Sequence, residues 1–348
     1  MCLVERIFLL LLLPQAAFAE LRMNNVYPTT LEIGKTTELT LEGPEDLSIW
    51  TSFKAETDWV EPGKKLKTTV PAGVQAGVNG MVFAHPEGIT QPFLLMLDDL
   101  PVQRLRQPPN DVSHPHPIPV PSGISSRFNR TPVYFKIELT EPRELSLDVY
   151  GERLGSPVDP MLRILDTEGR ELAMADDVTS KTSDPRLRFR FEKAGAYVIE
   201  VSDMLYTRGG PFHLRVGDFA FKDEDVVTQP TIRVKAEKES RISRSVEPKG
   251  ALVFDLICRH RGYEGPIRIK SNHPELKLLN ASFPASRTEH RVFVLFPDKA
   301  EAGSLWPVAL HAELDNGRRV PVSQLNPVRA AWSDWGDAPA WLRTTMFV

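Results

Sequence analysis

Residues 153–187 read RLGSPVDPMLRILDTEGRELAMADDVTSKTSDPRL, and this stretch decides the fold class. Its apolar run Met161–Leu165 is interrupted only by Arg163, and a second short apolar run follows at 171–174. Between the two runs stands Asp166-Thr167-Glu168-Gly169, where Asp accepts hydrogen bonds from the turn backbone and Gly tolerates a positive φ. The stretch therefore predicts a β-hairpin in the middle of a β-sandwich.

The same alternation continues on both sides of this hairpin. Apolar and polar residues alternate over further runs, which is the pattern of strands that bury one face. These runs are 133–139, 145–150, 187–192, 197–202 and 212–216. Together with the hairpin they make about seven or eight antiparallel strands, the number found in a jelly roll.

Short apolar runs separated by turn residues also fill the chain before and after this central region. Thr37–Glu42 alternates strictly, and Asp315-Asn316-Gly317 is a hairpin signal in the C-terminal part. Such spacing is typical of sandwiches of immunoglobulin-like type. We therefore expect an all-β protein of three antiparallel β-sandwich domains, of which the central one is jelly-roll-like.

The length of 348 residues suits several domains. The prolines at 108–109 and at 115–117 predict a linker at 101–123, because proline disrupts helix interiors and central strands. The expected division is a signal peptide at 1–19, an immunoglobulin-like sandwich at 20–105, the central sandwich at 106–218, an immunoglobulin-like sandwich at 219–330 and a Trp-rich tail at 331–348.

The N-terminus has the three parts of a secretory signal peptide. Arg6 supplies the positive region, Ile7–Leu13 the apolar region and Ala17-Phe18-Ala19 a small-x-small cleavage site. The apolar run is shorter than the about 20 residues that a membrane-spanning helix requires. We expect a secreted protein, periplasmic or extracellular, with no membrane span after cleavage.

Charge and cysteine content narrow the function classes. The formal net charge of −4 shows no footprint of nucleic-acid binding. After signal cleavage the single cysteine is Cys258, so stability must come from packed cores and not from internal disulfides. Cys258 is predicted to be a small buried apolar residue, because it shares one strand face with Leu252, Phe254 and Leu256. A nucleophilic thiol is the alternative.

A set of short motifs in the central region suggests a family. In chain order they are Asn110-Asp111 after Pro108-Pro109, Tyr134-Phe135-Lys136, Arg153-Leu154-Gly155-Ser156, Asp159-Pro160-Met161-Leu162, Asp166-Thr167-Glu168-Gly169, Leu172-Ala173, Asp176-Asp177 and Gly195-Ala196-Tyr197-Val198-Ile199-Glu200-Val201. In order and spacing they resemble the bacterial pre-peptidase C-terminal domain. One departure is Arg130-Thr131-Pro132-Val133, where that family commonly has an acidic Asp-x-Asp.

This resemblance implies a secreted, non-catalytic β-sandwich. Domains of this family usually accompany proteases or other hydrolases and are thought to aid secretion, localisation or substrate contact. The flanking sandwiches resemble the immunoglobulin-like neighbours seen in large secreted bacterial proteins of this kind.

The carboxylates of the opening stretch are candidate calcium ligands, because Ca²⁺ takes six to eight oxygen atoms from loops. Asp176, Asp177 and Asp184 are expected to share one site if the loops after the two central strands lie together, and Asp159 and Asp166 are further candidates. Calcium is therefore the candidate cofactor of this stretch. The alternative is that these aspartates form turns and cap backbone N–H groups.

Enzyme motifs are absent from the sequence. It contains neither H-E-x-x-H nor G-x-S-x-G. A catalytic triad assembled from distant residues stays open, because triads are recognised by geometry. We expect a non-catalytic binding or scaffold protein that recognises an extracellular protein or polysaccharide by its surface. The alternatives are a calcium-dependent carbohydrate- or matrix-binding module and a hydrolase with an unrecognised site.

Two further groups of residues leave alternatives open. His114 and His116 form a close pair that suits a transition metal, but they lack a third ligand nearby, so a solvated linker is favoured. Trp332, Trp335 and Trp341 lie in the tail and either pack on the third domain or bind a partner. Packing is favoured, because Trp buries a large apolar area.

Overall fold

The fold was described from a computed structural model. It describes residues 23–85, 88–176, 184–204, 209–221, 231–234, 246, 250–260, 263–284, 287–298, 300, 304–315, 317–323 and 345–348. The described part is almost entirely β-structure, which confirms the all-β prediction, and its one helical element is the single 3₁₀ turn Glu152–Leu154. The predicted signal peptide and the three tail tryptophans lie outside the described residues.

The N-terminal part is a sandwich of two sheets. One sheet has the order β1-β3-β6-β5 and the other β2-β9-β7-β4, with β8 paired to β7. The strands are β1 Asn24–Tyr27, β2 Thr30–Glu32, β3 Thr36–Glu42, β4 Ser48–Thr51, β5 Glu56–Glu61, β6 Lys65–Thr69, β7 Gly77–His85, β8 Gly88–Ile89 and β9 Phe93–Asp98. Leu39 and Leu41 of the alternating run both lie in the core between the sheets, as the sequence predicts.

The central part packs two five-stranded sheets face to face. Their orders are β10-β12-β19-β14-β17 and β11-β13-β18-β15-β16. The strands are β10 Val102–Arg104, β11 His116–Pro117, β12 Ser122–Asn129, β13 Val133–Leu139, β14 Arg143–Tyr150, β15 Pro160–Leu165, β16 Glu171–Ala175, β17 Arg186–Phe191, β18 Gly195–Asp203 and β19 Gly209–Gly217. The core between the sheets includes a stacked pair of rings, Phe128 and Phe212, with centroids 4.3 Å apart.

The hairpin quoted first forms as its sequence predicts. β15 pairs with β16 antiparallel, with a bulge near Leu165. In the turn, Oδ1 of Asp166 accepts hydrogen bonds from the backbone N–H groups of Glu168 and Arg170, both at 2.9 Å. Gly169 has a φ of 80°, the left-handed conformation that favours glycine.

The C-terminal part is one hydrogen-bonded path of strands that closes over a single core. Its order is β23-β25-β21-β20-β27-β26-β22-β24, with β28 paired to β26. The strands are β20 Thr231–Val234, β21 Ala251–Arg259, β22 Ile267–Ser271, β23 Lys277–Leu279, β24 Ser282–Phe283, β25 Glu289–Leu295, β26 Pro307–Leu314, β27 Arg319–Ser323 and β28 Thr345–Phe347. Met346 of β28 is buried in this core, so the last residues of the chain pack on the third part.

Not every strand pair is antiparallel. Short strands pair in parallel in β2–β9, β10–β12, β11–β13 and β20–β27. β10 and β11 come from the range predicted as a linker, and each lies at the edge of one sheet of the central sandwich. Pro117 fits there, because an edge strand tolerates a residue that cannot donate a hydrogen bond.

The first sandwich contacts both other parts through the outer face of its β2-β9-β7-β4 sheet. At one end, Met96 packs with Tyr150 and Leu154 of the central sandwich. Elsewhere on this face, Val82 is fully buried and packs with Leu305 of the third part. The three sandwiches therefore meet at one sheet of the first.

Candidate functional site

The most concentrated chemistry in the described chain lies where the first and central sandwiches meet. Asp98, the last residue of β9, faces His213 and Arg215, which point outward from β19. One carboxylate oxygen of Asp98 lies 2.6 Å from Nε2 of His213, and the other accepts a hydrogen bond of 3.0 Å from Nε of Arg215. Asp98 and His213 are both fully buried, and Arg215 is 7% exposed. We call Asp98, His213 and Arg215, with Thr30 and Ser125, the joint.

Thr30 and Ser125 extend the joint on the other side of the imidazole. Oγ1 of Thr30 lies 3.4 Å from Nδ1 of His213 and donates a hydrogen bond of 3.1 Å to Oγ of Ser125. A hydroxyl, an imidazole and a carboxylate in this order resemble a catalytic triad. Thr30, like His213, is fully buried. Thr30 and Asp98 belong to the first sandwich and His213 and Ser125 to the central one, so separating the sandwiches would take the arrangement apart.

The backbone is shaped to allow this close approach. Gly123 lies on β12, beside β19, and a Cβ atom at this position would stand 2.4 Å from Oδ2 of Asp98 and 3.0 Å from the ring of His213. Any side chain would push the carboxylate out of place, so the joint requires glycine here.

Electrostatics favour the ionised forms of Asp98 and Arg215. Burial by itself raises the pKa of the Asp98 carboxyl, but the hydrogen bond from His213 and the charges of His213 and Arg215 outweigh it and hold the pKa below its usual value. Burial lowers the pKa of Arg215, yet Asp98, Tyr150 and Asp99 raise it further than burial lowers it. A buried ion pair of this kind is costly to break, because the remaining charge would be buried alone.

A second buried network lies next to the joint, around the 3₁₀ turn. The carboxylate of Asp184 is fully buried and accepts hydrogen bonds of 2.8–3.0 Å from the backbone N–H groups of Gly151, Glu152 and Arg153. Nε of Arg153 adds a fourth hydrogen bond at 2.8 Å, and its guanidinium also pairs with Asp148. We call Asp184, Arg153 and Asp148 the knot.

Tyr150 connects the knot to the joint. The guanidinium of Arg153 stacks over its ring at 3.7 Å from the centroid, and the ring lies 6.4 Å from that of His213. Burial raises the pKa of Tyr150 to about 12, so its hydroxyl is not a base near neutral pH. Burial also raises the pKa of Asp184, although Arg153 and the backbone N–H groups act in the opposite direction.

The residues after β19 cover the same sheet face further along. Oγ of Ser146 donates a hydrogen bond of 2.6 Å to the carbonyl oxygen of Phe219. Arg215 lies over the Phe219 ring at 4.4 Å, and Arg188 lies near the Phe221 ring at 5.7 Å. The outer face of this sheet is therefore occupied by the first sandwich and by the 219–221 segment.

The outer face of the other central sheet carries exposed apolar residues along its β16 edge, where Leu172 is 42% exposed. The outward-facing residues Val198, Glu200 and Ser202 of the central strand β18 are nevertheless buried, with exposures of 6%, 2% and 0%. Glu200 pairs with Arg163 of β15, and Arg163 also lies 3.6 Å from Glu171. Cross-strand neighbours place Tyr134 beside Glu200 and Met174 beside Arg163. Met174 is 53% exposed. We call Tyr134, Met161, Arg163, Met174 and Glu200 the open face.

The structure separates the predicted calcium ligands into different roles. The carboxylate of Asp184 accepts hydrogen bonds from the backbone of the 3₁₀ turn, and that of Asp166 accepts them from the backbone of the hairpin turn. The backbone N–H of Asp159 donates to Asp203 at 3.0 Å, Asp176 is half-buried, and Asp177 lies outside the described residues. Within the described ranges no three His, Cys, Asp or Glu side chains are grouped as metal ligands. The calcium site stays a prediction.

The remaining candidates have ordinary structural roles. Nδ1 of His114 lies 2.7 Å from Asp111 on the surface, and His116 belongs to β11. Cys258 is 1% exposed in the core of the third part, and burial raises its pKa to about 11, which confirms the prediction of a small buried residue. In the part of the chain that the structure describes, no helix is long and apolar enough to cross a membrane.

The sequence contains no motif that marks the joint. His213 and Arg215 stand at polar positions of an alternating strand, and Asp98 ends an apolar run. Their only signal in the sequence is that a histidine and an arginine share the outward face of one strand. That pattern is also typical of a solvent-exposed face, so it does not reveal the contact with another domain.

Comparisons with known proteins found distant likenesses. No protein-family model matches the chain. No curated protein matches it either. The pre-peptidase C-terminal domain of a collagenase from Bacillus anthracis aligns at 12% identity over 30% of this chain and 94% of its own, with a TM-score of 0.25. It belongs to the family that residues 106–218 resemble in sequence.

Two other solved structures extend the range of likenesses. The periplasmic inhibitor of g-type lysozyme PliG from Aeromonas hydrophila aligns at 13% identity over 29% of this chain and 94% of its own, with a TM-score of 0.24. SGBP-B of a Bacteroides ovatus mixed-linkage glucan utilization locus aligns at 8% identity over 57% of this chain and 74% of its own, with a TM-score of 0.21.

Proposed function

We propose that this protein is a secreted, non-catalytic binding or scaffold protein that recognises another extracellular protein through the open face of its central sandwich. The observation that carries the proposal is the joint. Its hydroxyl, imidazole and carboxylate groups are the ones a hydrolase would use, and here they are buried and hold two sandwiches together. Their position supports a structural role, because a substrate must reach a nucleophile.

The joint also supports a fixed arrangement of the first two sandwiches. Interfaces between domains of one chain are usually polar and permit relative motion unless they are large and well packed. Here buried charges from both sandwiches pair across the interface, and moving either sandwich would leave a charge buried without its partner. A rigid pair of sandwiches is suited to holding a recognition surface in one orientation.

The open face is the central sheet surface that remains for recognition. It combines exposed Met174 and half-buried Met161 and Tyr134 with the ion pair of Arg163 and Glu200. Tyr, Met and Arg are enriched at protein–protein interfaces. A carbohydrate platform would instead require several exposed aromatic rings, and the open face has one tyrosine. The chemistry of the face therefore favours a protein partner over a polysaccharide.

The proposal that the protein is not a catalyst is tested with a fluorophosphonate probe, which labels activated serine and threonine hydroxyl groups. The protein, residues 20–348, is incubated with the probe at pH 7–8 and its labelled residues are identified by mass spectrometry. We expect no labelling of Thr30 or Ser125. Labelling that disappears in His213→Ala would overturn the proposal and make the joint an active site.

The proposal that the open face recognises a protein is tested by immobilising this protein and exposing it to the proteins secreted by the organism that produces it. Wild type is compared with Arg163→Glu, which reverses charge at the centre of the open face, and with Arg188→Glu on the opposite, covered sheet. We expect a defined protein to be captured by wild type and by Arg188→Glu but not by Arg163→Glu. Equal capture by all three would place recognition elsewhere.

Insoluble cellulose and chitin serve as polysaccharide probes, and binding to either would contradict a protein partner.

A further inference from the structure

Edge strand β16 differs from the other long edge strands of the first two sandwiches. β5 carries Glu56, Asp58 and Glu61, and β17 carries three arginines. Charges of this kind protect sheet edges from pairing with other chains. β16 reads Leu-Ala-Met-Ala between Glu171 and Asp176, so its centre lacks such protection. On the described part of the chain it pairs with β15 on one side and with no strand on the other.

The side chains of β16 are also unusually exposed for their type. Leu172 is 42% and Met174 is 53% exposed, and Met174 is the most exposed large apolar side chain among the described residues. Two such residues on one short edge strand form an apolar strip beside backbone groups that pair with no second strand among the described residues. An extended strand that pairs here gains backbone hydrogen bonds and buries the strip.

The sequence of this edge is complementary to itself. If two copies pair antiparallel about Ala173, Leu172 of each copy lies opposite Met174 of the other. In the same register, Arg170 of each copy lies opposite Asp176 of the other. The two large apolar residues then face each other, the basic residue faces an acidic one, Glu171 faces the small Ala175, and no like charges are opposed. Cross-strand pairs of both kinds stabilise antiparallel sheets.

We propose that two copies of this protein associate edge to edge through β16, with twofold symmetry about Ala173. The association joins the β11-β13-β18-β15-β16 sheet of one copy to that of the other. The same patch is used by both copies, as expected for the commonest class of homodimer. The inference goes beyond the proposed function. It shares Met174 with the open face, but it rests on strand pairing at the β16 edge and does not require a partner protein to bind that face.

Two features predict that the association is weak. The bulge near Leu165 and Glu171 limits regular pairing to the few residues around Ala173. Arg170 must also exchange its contacts with Asp166 and Glu168 for Asp176 of the second copy, although these exposed ion pairs are held only loosely. The dimer is therefore expected to depend on protein concentration.

Sedimentation equilibrium of residues 20–348 over a wide concentration range, in chelator, tests the proposal. We expect reversible monomer–dimer behaviour in wild type and a roughly tenfold or larger weakening in Met174→Lys. Val60→Lys is the matched control, because Val60 is 48% exposed on edge strand β5 and its variant should dimerise like wild type. A wild-type protein that remains monomeric throughout, or a dimer that Met174→Lys leaves unchanged, would overturn the proposal.

A charge-swap cycle tests the register itself. Arg170→Asp and Asp176→Arg alone each place like charges opposite one another, and both should weaken the dimer. The double variant restores opposite charges and should recover dimerisation. Failure of the double variant to recover, with an unchanged melting temperature, would exclude this pairing. Arg163→Glu keeps the sequence of β16, but Arg163 contacts Met174 and Glu171, so this variant is also measured by sedimentation equilibrium. Loss of capture with dimerisation retained separates the proposed function from the dimer, and loss of dimerisation in Met174→Lys with capture by the monomer retained separates them in the other direction.

Discussion

The two outer faces of the central sandwich have the same sequence pattern and opposite surroundings. On β19, His213 and Arg215 alternate with core residues, and on β15 and β18, Arg163 and Glu200 do the same. The first pair is buried against another sandwich, whereas Arg163 lies on a face that keeps exposed residues around it. Alternation therefore shows which side chains point away from a sandwich core, but not whether water or another domain receives them.

The difference matters because an ion pair contributes differently to folding stability in the two environments. An ion pair near water contributes little, since solvent screens it and either partner can be hydrated alone. A pair removed from water must keep both partners, because a lone buried charge is strongly unfavourable. The joint and the knot should therefore be sensitive to substitution, and the open face should be tolerant.

The largest effect is expected at the knot. Asp184→Asn removes a carboxylate that caps three backbone N–H groups and pairs with Arg153, so it should lower the free energy of unfolding by about 4 kcal/mol. Urea unfolding followed by circular dichroism measures the loss. Asp166→Asn is the control, because Asp166 caps a hairpin turn at the surface, and its loss should be much smaller.

The same pair of variants tests the calcium prediction. If Asp184 acts as a cap, its variant loses equal stability in millimolar Ca²⁺ and in chelator. Stabilisation of wild type by Ca²⁺ that vanishes in Asp184→Asn would instead make Asp184 a metal ligand, since a ligand that binds the folded state raises its stability.

A slightly smaller effect is expected at the joint. Asp98→Asn leaves His213 and Arg215 facing a neutral group in a buried interface, and the free energy of unfolding should fall by about 3 kcal/mol. Limited proteolysis should also cut the chain between the first two sandwiches faster than in wild type. A variant as stable and as resistant as wild type would show that the joint does not hold the sandwiches together.

The joint also predicts a pH dependence with a definite sign. The pKa of Asp98 is lower in the folded state than its usual value, so its contribution is fully present above about pH 4 and is lost as the pH falls through the folded pKa. Wild type should therefore lose stability below pH 4 more steeply than Asp98→Asn. Urea midpoints measured from pH 6 downward compare the two slopes, and parallel slopes would contradict the assignment.

The smallest effect is expected on the open face. Arg163→Ala removes the partner of Glu200, but Arg163 is 31% exposed and water can reach the site, so the loss should be about 1 kcal/mol. Urea unfolding of Arg163→Ala and Asp98→Asn under the same conditions compares the two losses of unfolding free energy. A loss as large as that of Asp98→Asn would mean that the open face is as tightly packed as the covered one.

Much of the fold was predictable because it depends on local chemistry. The hairpin at Asp166–Gly169 follows from turn residues, and the burial of Cys258 follows from its place in an alternating strand. The edge strands β10 and β11 were not predicted, because their prolines are typical of a linker and their partners lie elsewhere in the chain. Short parallel pairings of this kind have no local signature.

The candidate site was less predictable than the fold. The sequence identified Asp184 as a carboxylate worth testing, but its partners are the backbone of residues 151–153, far away in the chain. Asp98 and His213 are separated by 115 positions and meet only because two sandwiches pack together. Neither contact could be predicted from the number of residues that separate the partners in the sequence.

The sequence by itself determined the all-β class, the inward and outward positions of the strands and the burial of Cys258, because these depend on period-two alternation and turn residues. The tertiary structure alone decided which outward-facing charges are buried. His213 and Arg163 occupy equivalent positions on their strands, and only the packing of the first sandwich on one face separates them. Burial against a neighbouring domain is a property of the assembled chain, since it depends on contacts between residues that are distant in sequence.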